Sequence, residues 1–134
     1  MKAERILVSI DGSAGALDAL RRVLQRAPGR IEAIELVNVQ QLLHRHIAQW
    51  IPRSVRDGWR AERSAAALAP AVRLASASGV PFRVHTLCGD RRRALADAAR
   101  LWNCAEVVSA PVAPRLAWLA LPAGLGVAAW LLLD

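Results

Sequence analysis

The sequence predicts an α/β fold in three layers, a parallel sheet with helices on both faces. Short apolar runs rich in strand formers alternate with longer helical stretches, in the order β-α-β-α-β-α-β. The first 39 residues already read as strand, helix, strand, a unit that implies a parallel pair with a right-handed crossover. The 134 residues, 54% apolar and 22% charged, suffice for one domain with its own core. That balance excludes a disordered or collagen-like chain.

Ile6 to Ser9 is the first strand, ended by the turn residues Ile10-Asp11-Gly12-Ser13. Asp11 and Ser13 are both helix-capping types, and Gly12 permits a sharp bend. The first helix follows over about Ala14 to Arg26, with Leu17, Leu20 and Leu24 on one face, and Ala27-Pro28-Gly29 stops it. Ile34 to Val39 is the second strand. Gln40 to Pro52 is the least regular stretch and holds His44, His46 and Trp50. Ser54 to Ser78 is helical, and Ser54 with Asp57 resembles a capping box. Pro70 should kink or split that helix, because it lacks an N–H and clashes with the preceding turn. Gly79 closes it.

Phe82 to Leu87 alternates as a third strand, and Gly89-Asp90 turns into a helix that Asp90 can cap. There Leu95, Ala98 and Leu101-Trp102 share a face, and Asn103 ends it. Ala105 to Ser109 is the fourth strand, buried on both faces by its composition. After Pro111 the character changes. Leu116 to Leu133 carries no charge and includes Pro122, Gly124 and Gly126. The chain thus divides into a domain over residues 1–110 and an apolar C-terminal segment over 111–134.

Charge and cysteine usage narrow the function classes. The net charge is +7, and 17 of the 18 basic residues are arginine. Such a balance can meet an anionic partner, but the arginines are scattered and the only tight cluster is Arg91-Arg92-Arg93. With no Tyr and one Phe, stacking platforms for single-stranded nucleic acid are scarce, so no specific nucleic acid is expected. Two cysteines do not make a disulfide scaffold and suit a reducing cytoplasm. The N-terminal stretch does not read as a signal peptide.

Several of these segments together resemble the universal stress protein family. Ile6-Leu7-Val8-Ser9-Ile10-Asp11-Gly12-Ser13 before an amphipathic helix is similar to its opening, and Leu36-Val37-Asn38-Val39 to its second strand. Gly79-Val80-Pro81, Gly89-Asp90 and Cys104-Ala105-Glu106-Val107-Val108 follow in the family's order. The resemblance covers about residues 3 to 110. It implies a Rossmann-like parallel sheet of four to five strands, a homodimer of bacterial type, and a role in stress response.

Many members bind ATP, and the resemblance assigns Asp11 and Val39 to the adenosine end. The family's phosphate loop, Gly-x-x-Gly-x9-Gly-Ser/Thr, does not carry over. Ala110 and Ala113 stand where its first two glycines should, and Ala123-Gly124 where the third glycine and its hydroxyl partner should. Alanine strains positive φ, and Pro111 and Pro114 each remove an N–H donor. The expected function is therefore a non-catalytic binding and dimerisation domain that does not take ATP and needs no cofactor. An ATP-responsive switch using Asp11 and Val39 is the alternative. Ala105 to Ser109 is either the fourth strand before an eroded end, or the last, dimerising strand after a deletion.

Each remaining candidate has a plainer reading. Asp11 lies at the carboxyl end of the first strand, where ligands bind in open parallel sheets, yet capping is its simpler role. Ser13 has no nucleophile elbow around it and reads as a cap. His44 and His46 lack a third ligand at suitable spacing, so no metal is expected. His85 reads as a surface or edge histidine. Cys88 and Cys104 sit at opposite ends of their strands, ~15 Å apart by strand rise, too far for a disulfide. Arg91-Arg92-Arg93 lies in a helix's first turn, against its dipole, compensated by Asp90 and Asp97. Leu116 to Leu133 would reach ~27 Å as a helix, just short of a ~30 Å hydrocarbon core. It is expected to pack on the sheet or in a dimer interface, with docking to the cytoplasmic face of a membrane as the alternative.

Overall fold

A computed structural model describes residues 3–26, 29–42 and 45–110. The element order is β1 (Glu4–Ser9), α1 (Ala14–Leu24), β2 (Ile31–Gln40), α2 (Arg45–Ala48), α3 (Arg53–Ser78), β3 (Phe82–Cys88), α4 (Arg91–Leu101) and β4 (Glu106–Val108). The four strands form one parallel sheet in the order β3-β2-β1-β4. The chain moves outward from β1 to β3, then crosses back over the sheet to place β4 on the other side of β1. The α/β architecture with helices on both faces is as the sequence predicts.

Alternation along the strands divides the core in two. Ile6, Val8 and Ile10 of the β1 run and Ile34 and Leu36 of β2 face α1 and α3. They pack on Leu20, Val23, Leu68, Ala71 and Ala75. Leu7 and Val37 point the other way and meet Leu95 and Ala98 of α4.

Three expectations need correction. The residue that caps α3 is Pro52, whose carbonyl accepts the N–H groups of Val55 and Arg56, both at 3.1 Å. Ser54 therefore already lies in the first turn, and the expected capping box does not form. Of the kink or split expected at Pro70, the split does not occur: α3 runs unbroken from Arg53 to Ser78. Ala65, Ala66 and Ala67 precede it without bulk, and Ala66, whose carbonyl loses its N–H partner, is exposed to water. Finally, β4 is shorter than expected and is not buried on both faces: Val107 is 44% exposed. Burial of a strand requires neighbours, and β4 ends the sheet among the described residues. The expectations for Ala27, Pro28, His44, Ala113, Gly124 and the Leu116–Leu133 segment concern positions outside the described residues.

Candidate functional site

The turn after β1 builds the site. The Ile10 N–H still bonds to the Val37 carbonyl at 2.8 Å, so the chain leaves the sheet only at Asp11. Asp11 Oδ1 accepts the Ser13 N–H at 2.9 Å, and Ser13 Oγ accepts the Ala16 N–H at 3.1 Å. Ser13 is thus the cap of α1, while Asp11 shapes the turn ahead of it. Between them Gly12 has φ +87°, a conformation that a Cβ would strain, with Ala67 of α3 close by.

The second oxygen of Asp11 faces α4. Asp11 Oδ2 lies 3.8 Å from Arg91 Nη1, and Arg91 Nη2 donates to Ser9 Oγ at 3.3 Å. Asp90 caps α4 by accepting the Arg93 N–H at 3.0 Å, which holds Arg91 at the helix start. Burial pushes the Asp11 carboxyl up. The Ser13 hydrogen bonds and the Arg91 charge outweigh it and hold the group below its usual range.

A cavity of about 310 Å³ opens at this point, lined among others by Ser9, Asp11, Val39, Gln40, Arg63 and Arg91. Asp11 and Val39 therefore share one cavity, at the carboxyl ends of β1 and β2. That is where open parallel sheets bind ligands, beside the point where strand order reverses. Behind it, Asn38 is buried and donates to the Ile10 carbonyl at 2.7 Å, fixing the two strand ends together. Two guanidinium groups face one carboxylate across the cavity, a balance that favours an anionic or acceptor-rich occupant. Ala110 stands beside the first turn of α1, where a Cβ on Gly15 would come within 3.4 Å of its own Cβ.

A larger, open groove of about 750 Å³ runs between α3 and β3. Leu68, Val72 and Val84 form its walls, with Asp57, Arg60 and Arg73 among its lining residues. Cys88 also lines it, while the Ser64 and Thr86 hydroxyls, 2.6 Å apart, and the Asp57–Arg60 pair are engaged with one another.

The other candidates fall elsewhere. His85 is more than an edge histidine. Its Nε2 lies 2.6 Å from Glu35 Oε2, and its ring stacks on Trp102 with centroids 4.0 Å apart. Glu35 is fully buried and also accepts from Arg83, at 2.9 Å from Nε. Burial would raise the Glu35 carboxyl, but the Arg83 and His85 hydrogen bonds outweigh it and hold it below the usual range. Glu35 is the residue that sequence reading missed. Its signal was one carboxylate inside the apolar run Ile34-Glu35-Leu36-Val37.

Cys88 and Cys104 are both free thiols, as expected. Burial, then the Glu35 charge, pushes the Cys104 thiol up, away from the thiolate form a nucleophile needs. Of the two acids expected to compensate the arginine triplet, Asp90 caps α4, and Asp97 pairs with Arg100 of its own helix. Among the described residues, no group of three His, Cys, Asp or Glu side chains is placed to hold a metal ion. No helix among them is long and apolar enough to cross a membrane.

A doubly wound parallel domain with a small charged cavity at its strand ends defines the class of protein. Within that class, the chain belongs to the universal stress protein family, whose sequence model matches residues 2–110. Among solved structures it is similar to a universal stress protein family member from Burkholderia pseudomallei. The two are 24% identical, the match covers 81% of each chain, and the TM-score is 0.65. It is similar in fold to the hypothetical protein MJ0577, at 14% identity over 81% of this chain and 74% of that one, with TM-score 0.67. It is also similar to a universal stress protein solved in complex with cAMP, at 19% identity over 96% of this chain and 91% of that one, with TM-score 0.59. No curated protein matches the chain.

Proposed function

We propose that this universal stress protein is a non-catalytic, homodimeric binding domain of the stress response that does not take ATP. The observation that carries this reading is the state of Asp11. The carboxylate assigned to the adenosine end is already engaged, by the Ser13 N–H on one oxygen and Arg91 on the other. The cavity around it, about 310 Å³, is at the small end of the ~300–1,000 Å³ range of ligand clefts. The alanines at 110 and 113 replace the glycines that a phosphate loop needs.

The non-catalytic part rests on the chemistry of the side chains. Ser13 is committed to its cap, His85 to Glu35, and the Cys104 thiol is pushed up by burial. Dimerisation is favoured by the open edge of β4, where Val107 and Leu101 stand exposed among the described residues. Free cysteines suit a reducing cytoplasm.

A second reading follows from one observation, that Asp11 and Val39 line the same cavity. It makes the chain an adenine-nucleotide switch. A cyclic monophosphate such as the cAMP of the similar structure asks less of the missing loop than a triphosphate does.

The melting temperature with Mg-ATP and with cAMP separates the readings. A ligand at 100 times its dissociation constant adds ~2.7 kcal/mol, several degrees for a domain of this size. The first reading expects no shift with Mg-ATP. A saturable shift that Asp11→Ala abolishes overturns it in favour of the switch.

A further inference from the structure

The strongest unexplained surface lies at the start of α3. Of the eight strongly exposed large hydrophobic side chains among the described residues, five fall between positions 42 and 59: Leu42, Ile47, Trp50, Val55 and Trp59. Trp50 is 82% exposed and Trp59 45%. None of the five lines either cavity described above.

Helix geometry accounts for the outward placement. The buried positions of α3 are Ser64, Leu68, Ala71 and Ala75. At 100° per residue, Trp59 lies ~140° and Val55 ~180° around the axis from Ser64. The helix is thus apolar toward the sheet in its second half and apolar away from the sheet in its first. Short local bonds tie Trp50 to α2 and the start of α3 to the segment between them. The Trp50 N–H donates to the Ile47 carbonyl at 3.1 Å, and Arg56 Nε to the Ile51 carbonyl at 3.1 Å.

The charge around the patch is one-sided. Positions 47–63 carry four arginines against two acids, Asp57 and Glu62. Asp57 is already paired with Arg60 at 3.2 Å. Exposed tryptophans rimmed by arginine, with no cavity among them, have the composition of an interfacial anchor. The indole ring sits at the boundary between head groups and acyl chains, and the guanidinium pairs with lipid phosphate.

We propose that Trp50 and the first half of α3, residues 53–63, form a docking surface for an anionic lipid bilayer, with Trp50 and Trp59 as the inserting side chains and the exposed Arg53 as the leading head-group contact. Neither inserting side chain lines the strand-end cavity, which the surface meets only at Arg63.

Sedimentation of the full chain with vesicles tests it, comparing phosphatidylcholine alone with phosphatidylcholine mixed with phosphatidylglycerol. The expected result is binding that requires phosphatidylglycerol and weakens with salt. The double variant Trp50→Ser/Trp59→Ser should lose at least about tenfold in partitioning with an unchanged melting temperature, since both rings are exposed. Arg53→Gln should lose about fivefold.

Absence of binding, or equal binding to neutral vesicles, overturns the proposal. So does full binding by the double variant, which would put the contact elsewhere, residues 116–133 included. A wild-type oligomer that the double variant dissociates also overturns it, because the patch would then be a contact between two copies of the chain.

Discussion

Under α1 and α3 the sheet is dry: Ile6, Val8, Ile10, Ile34 and Leu36 meet only apolar or small partners. Under α4 the same strands present Leu7 and Val37 beside the fully buried Glu35, ringed by Arg83, His85 and, at 3.9 Å, Arg5. Among the described residues, two helices cover the first face and one covers the second. A single helix cannot shield a whole sheet face, and the part that no described helix covers carries long polar side chains. The buried carboxylate is tolerable because its lone pairs are taken by guanidinium and imidazole donors. The Arg5 Nε, buried without a hydrogen-bond partner, marks where that network is least complete. A face closed by hydrophobic contact needs only complementary shape. A face closed by an ionic network depends also on the charge of each member.

The largest effect is expected on the dry face. Leu36→Ala should destabilise the fold by about 2–5 kcal/mol, read by urea denaturation, because the removed atoms leave a cavity between two helices. A loss below 1 kcal/mol would mean that this face is less tightly packed than its complete burial indicates.

Next comes the ionic face. Glu35→Gln should cost about 1–3 kcal/mol at neutral pH, the lower end applying because Arg83 is half-exposed and can turn to water. The pH dependence sharpens this. The Glu35 carboxyl is held below its ordinary value of 4.5 in the folded chain. As pH falls, the unfolded chain takes up that proton first, so protonation draws the equilibrium toward unfolding. The Glu35 contribution is therefore complete above the ordinary value and lost as pH drops through the lower folded one. Melting curves between neutral pH and about pH 3 should show a steeper acid loss for wild type than for Glu35→Gln. Parallel curves would remove Glu35 as the cause.

The smallest effect is expected where α4 covers nothing. Leu101→Ser, at a position 76% exposed, should change stability by less than ~0.5 kcal/mol in a monomer. A larger loss that depends on protein concentration would show that a second copy covers this edge.

How much of this was legible beforehand divides along the same line. β1, α1, β2 and their joining turn could be read from residues within a few positions of one another, because Asp11, Gly12 and Ser13 act on backbone groups two or three residues away. The cap of α4 at Asp90 was legible for the same reason. The Glu35–His85 contact was not, since 50 positions separate the partners and only the β2–β3 register brings them together. Exposure of β4 was hidden likewise, because Val107 is apolar in composition whatever lies over it. In the candidate site, Asp11 and Val39 came from a family likeness. Arg91, which occupies Asp11, had to be placed by the return of α4 across the sheet. The proline within α3 shows local chemistry overruled: Pro70 weakens one turn, and packing of Leu68, Ala71 and Ala75 on the sheet holds the helix through it.

The length of α3 has a consequence for how the molecule opens. Its 26 residues rise ~39 Å, yet no residue before Ser64 is buried. Backbone amides of the leading three turns therefore have little tertiary structure to break before they meet solvent. In deuterium they should exchange by local fraying, well ahead of the amides from Leu68 to Ala75, whose exposure requires the dry face to come apart. One continuous helix would report two opening free energies, with the boundary near Ser64, where its hydroxyl meets Thr86 of β3 at 2.6 Å.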